Sequence, residues 1–293
     1  MIMTKKSNIF FLYFLILIEI LILLNSNIVI NAVRSSIKIF LISVFPSLFP
    51  TMVIGIMLVK NNVYEIIPKF IRNIFKKVFN YNDYMTSIFI ISLITGTPSN
   101  ALYINEYLDK GLITNNEAES LLLSTHFINP LFVVGMVGNV IFKSTKIGFI
   151  ILLTLWTSNL IKAYITRPRV YKNIDRKSIS CNKSIINSFF SSIKQAIYAL
   201  LTIMGIIILF NMLTILIREI LNLNNTLSVI INGILEMTGG VTKVSELNIN
   251  ILLKIIMVYI MLNFGGLSIH MQAFSMLENK KIRYLKYLIF RLI

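Results

Sequence analysis

Residues 9–30, 37–59, 147–166 and 196–217 are near-continuous apolar runs, each long enough to cross the roughly 30 Å hydrocarbon core of a bilayer at about 1.5 Å per helical residue. Such a chain has little choice of architecture. In hydrocarbon every backbone N–H and C=O must be bonded within the protein, and runs of this length do so as helices. Composition agrees: hydrophobic residues make up 56% of the 293, only 14% are charged, and the mean hydropathy is +0.79, beyond what the core of a soluble domain requires. The sequence therefore predicts an all-α, polytopic membrane protein with the lipid bilayer as its first partner.

The formal net charge of +16 does not point to nucleic acid, because the Lys and Arg residues lie between the apolar runs and not on a basic-aromatic face. There they orient membrane segments. Lys5 and Lys6 precede the first run and place the N-terminus in the cytoplasm. That run is long for a secretory signal and Asn31-Ala32 is a poor cleavage site, so residues 1–36 read as an uncleaved anchor. Connection 60–85 (Lys60, Lys69, Arg72, Lys76 and Lys77 against Glu65 and Asp83) and the more basic loop between 167 and 195 (Arg167, Arg169, Lys172, Arg176, Lys177, Lys183 and Lys194 against Asp175) belong inside. Connection 218–250, with Arg218 and Lys243 against Glu219, Glu236 and Glu246, suits the outside. The single cysteine, Cys181, lies in the basic loop and excludes an intramolecular disulfide. Pro46 and Pro50 predict a kink in the second run. Glu19, in the middle of the first run, is a candidate by its placement alone.

Four apolar segments are interrupted. Gly96-Thr97-Pro98-Ser99-Asn100 halts one, Asn129-Pro130 a second, Gly239-Gly240 a third and Gly265-Gly266 a fourth. An unsatisfied backbone group costs several kcal/mol in hydrocarbon, so a break persists only when buried in protein or lining a wet cavity. Pro98 suits the first turn of a restarting helix and Thr97 or Ser99 its cap, which would aim free amides inward as a site for an anion or dipole. The expected substrate-binding residues are Gly96, Thr97, Ser99, Asn100, Asn129, Gly265, Gly266, Ser268, His270 and Gln272. The two histidines, His126 and His270, flank the breaks. The bland alternative is that the breaks are ordinary helix ends and proline kinks. No metal-ligand spacing or phosphate loop occurs, so neither metal nor cofactor is expected. A hydrolase built on Ser99 or Ser268 with a histidine would lack a carboxylate to orient the base, so the chain is not expected to be an enzyme.

The interruptions fall in two halves. SSIK at 35–38 recurs at 191–194, and 91–113 aligns without gaps on 260–282, pairing Gly96 with Gly265, Ser99 with Ser268, Leu108 with Leu277 and Asp109 with Glu278. The first SSIK starts outside and the second inside. The expected fold is two inverted repeats containing broken and re-entrant helices, 37–166 and 191–293, joined by a basic cytoplasmic loop at 167–190 and preceded by the anchor. The acidic stretch 105–119 leaves two placements open: 86–104 crosses and 120–142 is re-entrant, slightly preferred, or 86–109 is the re-entrant hairpin and 117–142 crosses.

The stretch TGTPSNALYINEYLDKGLITNNEAESLLLSTHFINPLFVVGMVG, with LEMTGG and FGGLSIHMQ further on, resembles the YlbJ-like sporulation integral membrane proteins, a family with nucleoside-recognition or Gate elements. The similarity spans roughly 37–293, carried by Asn129-Pro130-Leu131-Phe132 and Gly265-Gly266-Leu267-Ser268, with His270 and Gln272 matching the second-half signature. The chain departs from that pattern at Thr97, Ser99 and Asn100, at His126-Phe127-Ile128, and in stopping at Ile293. The resemblance implies a role in spore cortex formation and a transport-like fold passing a small polar or anionic solute, with other sporulation membrane proteins as partners. The rival expectation is a non-transporting scaffold that recruits cortex-building proteins through the basic loop.

Overall fold

The computed structural model describes residues 5–168, 184–277 and 282–292. Arg169, Lys172, Asp175, Arg176, Lys177, Cys181, Lys183 and Glu278 lie outside the described residues. Among the described residues every element is a helix. Four of them, Ser26–Lys60, Thr145–Ile165, Ile185–Ile220 and Ile251–Ser275, are long and apolar enough to cross a membrane.

Helix α1 (Lys5–Leu24) ends earlier than its apolar run, because the Asn25 side chain donates to the Leu21 carbonyl at 2.9 Å and competes with the helical ladder. Glu19 is exposed on this helix. The next helix, α2 (Ser26–Lys60), starts at Ser26, not at 37. Its segment Phe40–Val44 winds as a π-helix just before Pro46. That wider turn takes up the amide proline cannot donate. A 3-10 turn, Val63–Glu65, leads to α3 (Lys69–Phe79).

Helices α4 (Asp83–Thr95) and α5 (Ser99–Asp109) form an antiparallel hairpin. The Tyr84 and Tyr107 rings meet at 5.7 Å, which puts the start of one beside the end of the other. α6 (Asn115–Ser124) opens with a capping box in which Thr114 and Glu117 satisfy each other's backbone amides. After the extended segment 125–130 the chain resumes as a π-helix, α7 (Leu131–Ile141), and returns as α8 (Thr145–Ile165). Gly138 and Gly148 bring α7 and α8 into backbone contact, where an added Cβ would lie about 3 Å from the other glycine's Cα.

The second half runs α9 (Ile185–Ile220), α10 (Asn225–Leu235), α11 (Met237–Val244), α12 (Ile251–Phe264), α13 (Gly266–Ser275) and α14 (Tyr284–Leu292). Connection 218–250 is thus not a simple outside loop. Its middle is the α10–α11 hairpin, closed so tightly that a Cβ on Gly240 would lie 2.5 Å from the Gly233 backbone. The order long helix, hairpin, broken helix, closing helix occurs twice: α2, α4–α5, α6–α7, α8, then α9, α10–α11, α12–α13, α14. By this order the turn at Gly96 corresponds to Glu236, and the break at Gly265 to segment 125–130. The ungapped pairing of Gly96 with Gly265 instead sets a hairpin turn against a broken through-helix.

Helices α2 and α9 pack antiparallel, with Lys60 Nζ 3.1 Å from Ser191 Oγ at one end and Asn211 Nδ2 2.8 Å from Ser36 Oγ at the other. Element ends gather into two layers. One holds the end of α2, all of α3, the open end of the α4–α5 hairpin, and the start of α6, and Asn82 donates to Glu117 at 2.7 Å within it. The end of α8 and the start of α14 complete that layer. The opposite layer holds the α7–α8 turn and the open end of the α10–α11 hairpin.

Across the first layer Glu119 joins α6 to α14, accepting from Lys286 Nζ at 2.5 Å and Arg283 Nη2 at 3.2 Å. Burial would raise this carboxyl, but the two cations outweigh it and hold Glu119 below the usual 4.5. A carboxylate depressed in the fold stabilises it above the unfolded value and loses that contribution as pH falls. The Tm of the detergent-purified protein should therefore decline below about pH 4.5, and Glu119→Gln should be flatter over that range. An identical acid limb in both proteins would refute the contribution. Both cations are partly exposed, so the difference should be small.

Candidate functional site

The first break is built from backbone that has left the helix and found other partners. Gly96 has φ +76°, and a Cβ there would lie 2.6 Å from the amide nitrogen of Asn129. Thr97 N donates to the Phe127 carbonyl at 2.6 Å and Asn100 Nδ2 to Thr125 Oγ1 at 3.0 Å, so the hairpin turn is stitched to segment 125–130. Asn129 anchors both to α2. Its Nδ2 lies 3.1 Å from each of Ser47 O, Thr51 Oγ1 and Thr95 O, while its Oδ1 accepts from Leu131 N at 2.8 Å.

The second pair of breaks behaves alike. Gly265 and Gly266 both have positive φ, +87° and +69°. A Cβ on Gly265 would sit 2.7 Å from His126 Nε2, and one on Gly266 2.9 Å from Met237 N. At the α10–α11 turn the amides of Thr238 and Gly239 donate to the Glu236 carboxylate at 3.0 and 2.5 Å. Glu236 is buried. The start of α11 is therefore capped by the chain's own Glu236 side chain, in keeping with the pull of an N-terminal helix dipole on negative charge.

The two hairpin turns meet at a cavity of about 40 Å³, lined among others by Thr97, Asn129, Thr238 and Gln272. Three of the ten expected site residues, Thr97, Asn129 and Gln272, thus share one lining drawn from both halves. Ser99, Asn100, Ser268 and His270 are buried but do not line it. His270 instead ties the two ends of the α12–α14 region, with Nε2 2.8 Å from the Phe264 carbonyl and Nδ1 3.3 Å from Tyr284 Oη. Ser268 Oγ is buried without a hydrogen-bond partner among the described residues. At about 40 Å³ the cavity is small.

Beside the breaks lie two buried cations. Lys162 on α8 is 2% exposed, and its Nζ donates to Asn263 Oδ1 at 2.9 Å. Arg291 on α14 is 1% exposed, its Nη2 donates to the Leu123 carbonyl, and its Nε and Nη1 have no hydrogen-bond partner among the described residues. Asn263 and Leu123 belong to the last turns of α12 and α6, where unpaired carbonyls carry partial negative charge. His126 and Tyr287 sit with them, Nδ1 to Oη at 3.2 Å, and Asn159, three residues before Lys162, donates to the His126 carbonyl at 2.9 Å. Lys162 and Arg291 lie within each other's electrostatic reach, and no carboxylate makes a hydrogen bond or ion pair with either among the described residues.

No family model and no solved structure matches the chain. Over 294 residues it is 24% identical to the sporulation integral membrane protein YlbJ of Bacillus subtilis (strain 168), covering 85% of this chain and 71% of that protein. The chain is YlbJ-like. The match takes in most of the membrane region that carries the hairpins and breaks.

Three residues of this YlbJ-like chain escaped the sequence reading. Lys162 sits inside the run 147–166 that read as a clean span, Arg291 in the short terminal segment, and Glu236 in a connection assigned to the outside. The available signal was an ionisable residue within an apolar segment, which is expensive in hydrocarbon and marks a function or an internal partner. Glu19 carries the same signal in the sequence, yet it is exposed on α1.

Proposed function

We propose that the protein is a membrane carrier of a small anionic solute, acting in sporulation, with its site between the hairpin turns and the broken helices. The observation that carries this reading is the meeting of turns from both halves at one cavity, together with Lys162 and Arg291, which are buried against the broken-helix ends at Asn263 and Leu123 and have no carboxylate partner among the described residues. Buried cations are costly unless paired. An anionic solute would supply the missing charge. The YlbJ name supports the sporulation context, and the resemblance extends it to the cortex.

In this reading α4–α5 is re-entrant from one membrane face and α10–α11 from the other, so the two halves form an inverted repeat around the site. The hairpin geometry favours the placement in which 86–109 is re-entrant and 117–142 crosses. The layer containing α3 is the more basic and faces the cytoplasm. The protein binds and moves its solute and catalyses no covalent step.

A scaffold role has one observation in its favour: the cavity is small and Asn129 at its wall is engaged by hydrogen bonds on both its amide nitrogen and its oxygen, as breaks kept for packing would be. A thermal-stability screen separates the readings, run with small carboxylates, phosphates, nucleosides and amino acids on the wild type, Lys162→Met and Arg291→Met. Replacing a buried charge by an apolar chain of similar length is often neutral or stabilising, so both variants should fold. A carrier shows a saturable Tm rise with one anion class, since selective binding to the folded state must stabilise it, and the variants lose that rise. If no compound shifts the wild type while the variants fold normally, the carrier reading fails.

A further inference from the structure

We propose that α3 (Lys69–Phe79) is an interfacial helix that binds anionic lipid headgroups. Its sequence, KFIRNIFKKVF, divides into three strips at 100° per residue. Ile71, Phe75 and Phe79 form one strip. Phe75 and Phe79 pack on the Phe89 ring at 5.3 and 6.2 Å, and Phe89 packs on Phe127 at 5.2 Å. This strip fixes the rotation of the helix about its own axis.

The second strip continues the apolar arc and is left open by the described residues: Phe70, Ile74 and Val78 are 65%, 53% and 37% exposed. Lys69, Arg72, Lys76 and Lys77 make the third strip, and Arg72 is held by Asp83 at 2.7 Å. Arg167 Nη1 donates to the Val78 carbonyl at 3.3 Å and adds its charge at the helix end.

The helix lies in the layer where membrane helices end, anchored at its C-terminal side by Asn80 Nδ2 to the Pro168 carbonyl at 3.1 Å. A helix with one apolar strip on protein, one open and a basic strip above matches the geometry of a segment lying in the headgroup plane. The occupant follows from charge: the open strip enters the acyl boundary while the lysines reach phosphate oxygens, and an anionic surface attracts each basic residue near it. A protein partner covering the same strip is the competing occupant.

The test uses the full-length protein with Cys181→Ser, carrying a nitroxide on Ile74→Cys or on Lys77→Cys, in vesicles of phosphatidylcholine containing about one quarter phosphatidylglycerol. The label at position 74 should collide preferentially with oxygen, as in hydrocarbon, and that at 77 with a water-soluble nickel chelate. Equal chelate access at both positions would mean that the strip faces water or a partner, and overturns the proposal. In nanodiscs, the Tm of the protein without label should rise with phosphatidylglycerol content and the rise should shrink with added salt. The triple variant Lys69→Gln, Lys76→Gln, Lys77→Gln should lose at least half of the rise. A rise unchanged in that variant would put the anionic-lipid site elsewhere and equally overturn it.

Discussion

Gly96→Ala should destabilise the fold by about 3 to 4 kcal/mol, against about 1 kcal/mol for Gly111→Ala. Both glycines have positive φ, +76° and +66°, so both substitutions meet the same strain of an L-residue in left-handed backbone. They differ in what the new methyl encounters. At Gly111 nothing lies within 4 Å, whereas at Gly96 the methyl would stand 2.6 Å from Asn129 N and 2.9 Å from its Cα. Those are backbone atoms of segment 125–130, which Thr97 N and Asn100 hold in place, so relief requires the hairpin turn to leave the segment it is stitched to. Chemical unfolding in detergent of the two variants beside the wild type measures the difference. Equal losses would mean that the turn yields freely and that the stitching is weak.

Asn129→Ala should cost about 3 kcal/mol, through loss of hydrogen bonds and not of packing. The substitution strips the Ser47 and Thr95 carbonyls and Thr51 Oγ1 of one donor and Leu131 N of its acceptor. Asn129 is 2% exposed, so only the small cavity could supply a replacement water. Asn129→Asp should fare no better, because a carboxylate cannot donate to three acceptors. A loss under about 1 kcal/mol would show that water fills the gap. A substitution at Asn129 therefore makes a poor probe of solute binding. Lys162 and Arg291 make better ones, because their replacements leave the helix breaks intact.

Three of the four helices long enough to cross a membrane, Ser26–Lys60, Thr145–Ile165 and Ile185–Ile220, contain apolar runs legible in the sequence, because span length is a local property. Thr145–Ile165 matches its apolar run to within two residues at each end. Three of the four breaks were legible for the same reason, because Gly, Pro and Asn punctuate a helix wherever it folds; the expected break at Gly239-Gly240 lies instead at Glu236, with both glycines inside α11. Which breaks are hairpin turns and which interrupt a through-helix was not legible, since that depends on contacts such as Asn82 to Glu117 and Tyr84 to Tyr107. The aligned glycines Gly96 and Gly265 fall in different local settings, a hairpin turn and a break between consecutive helices, because glycine serves equally well in both. The cations were missed because Lys162 lies near the end of its run, where a lysine ordinarily reaches the interface. Only the fold shows that α12 and α14 cover it.

The bonds that join α14 to α6 have a consequence for synthesis. Glu119 waits for Arg283 and Lys286, and the Leu123 carbonyl for Arg291, across separations of 164, 167 and 168 residues. At about 5 to 20 residues per second, the end of α6 spends on the order of 10 to 30 s on the ribosome-bound chain before its partners are made. During that interval the Leu123 carbonyl lacks the cation that bonds to it in the finished fold. The contacts of Glu119 and of the Leu123 carbonyl with α14 therefore form late in synthesis, after every described helix of the first half has been made.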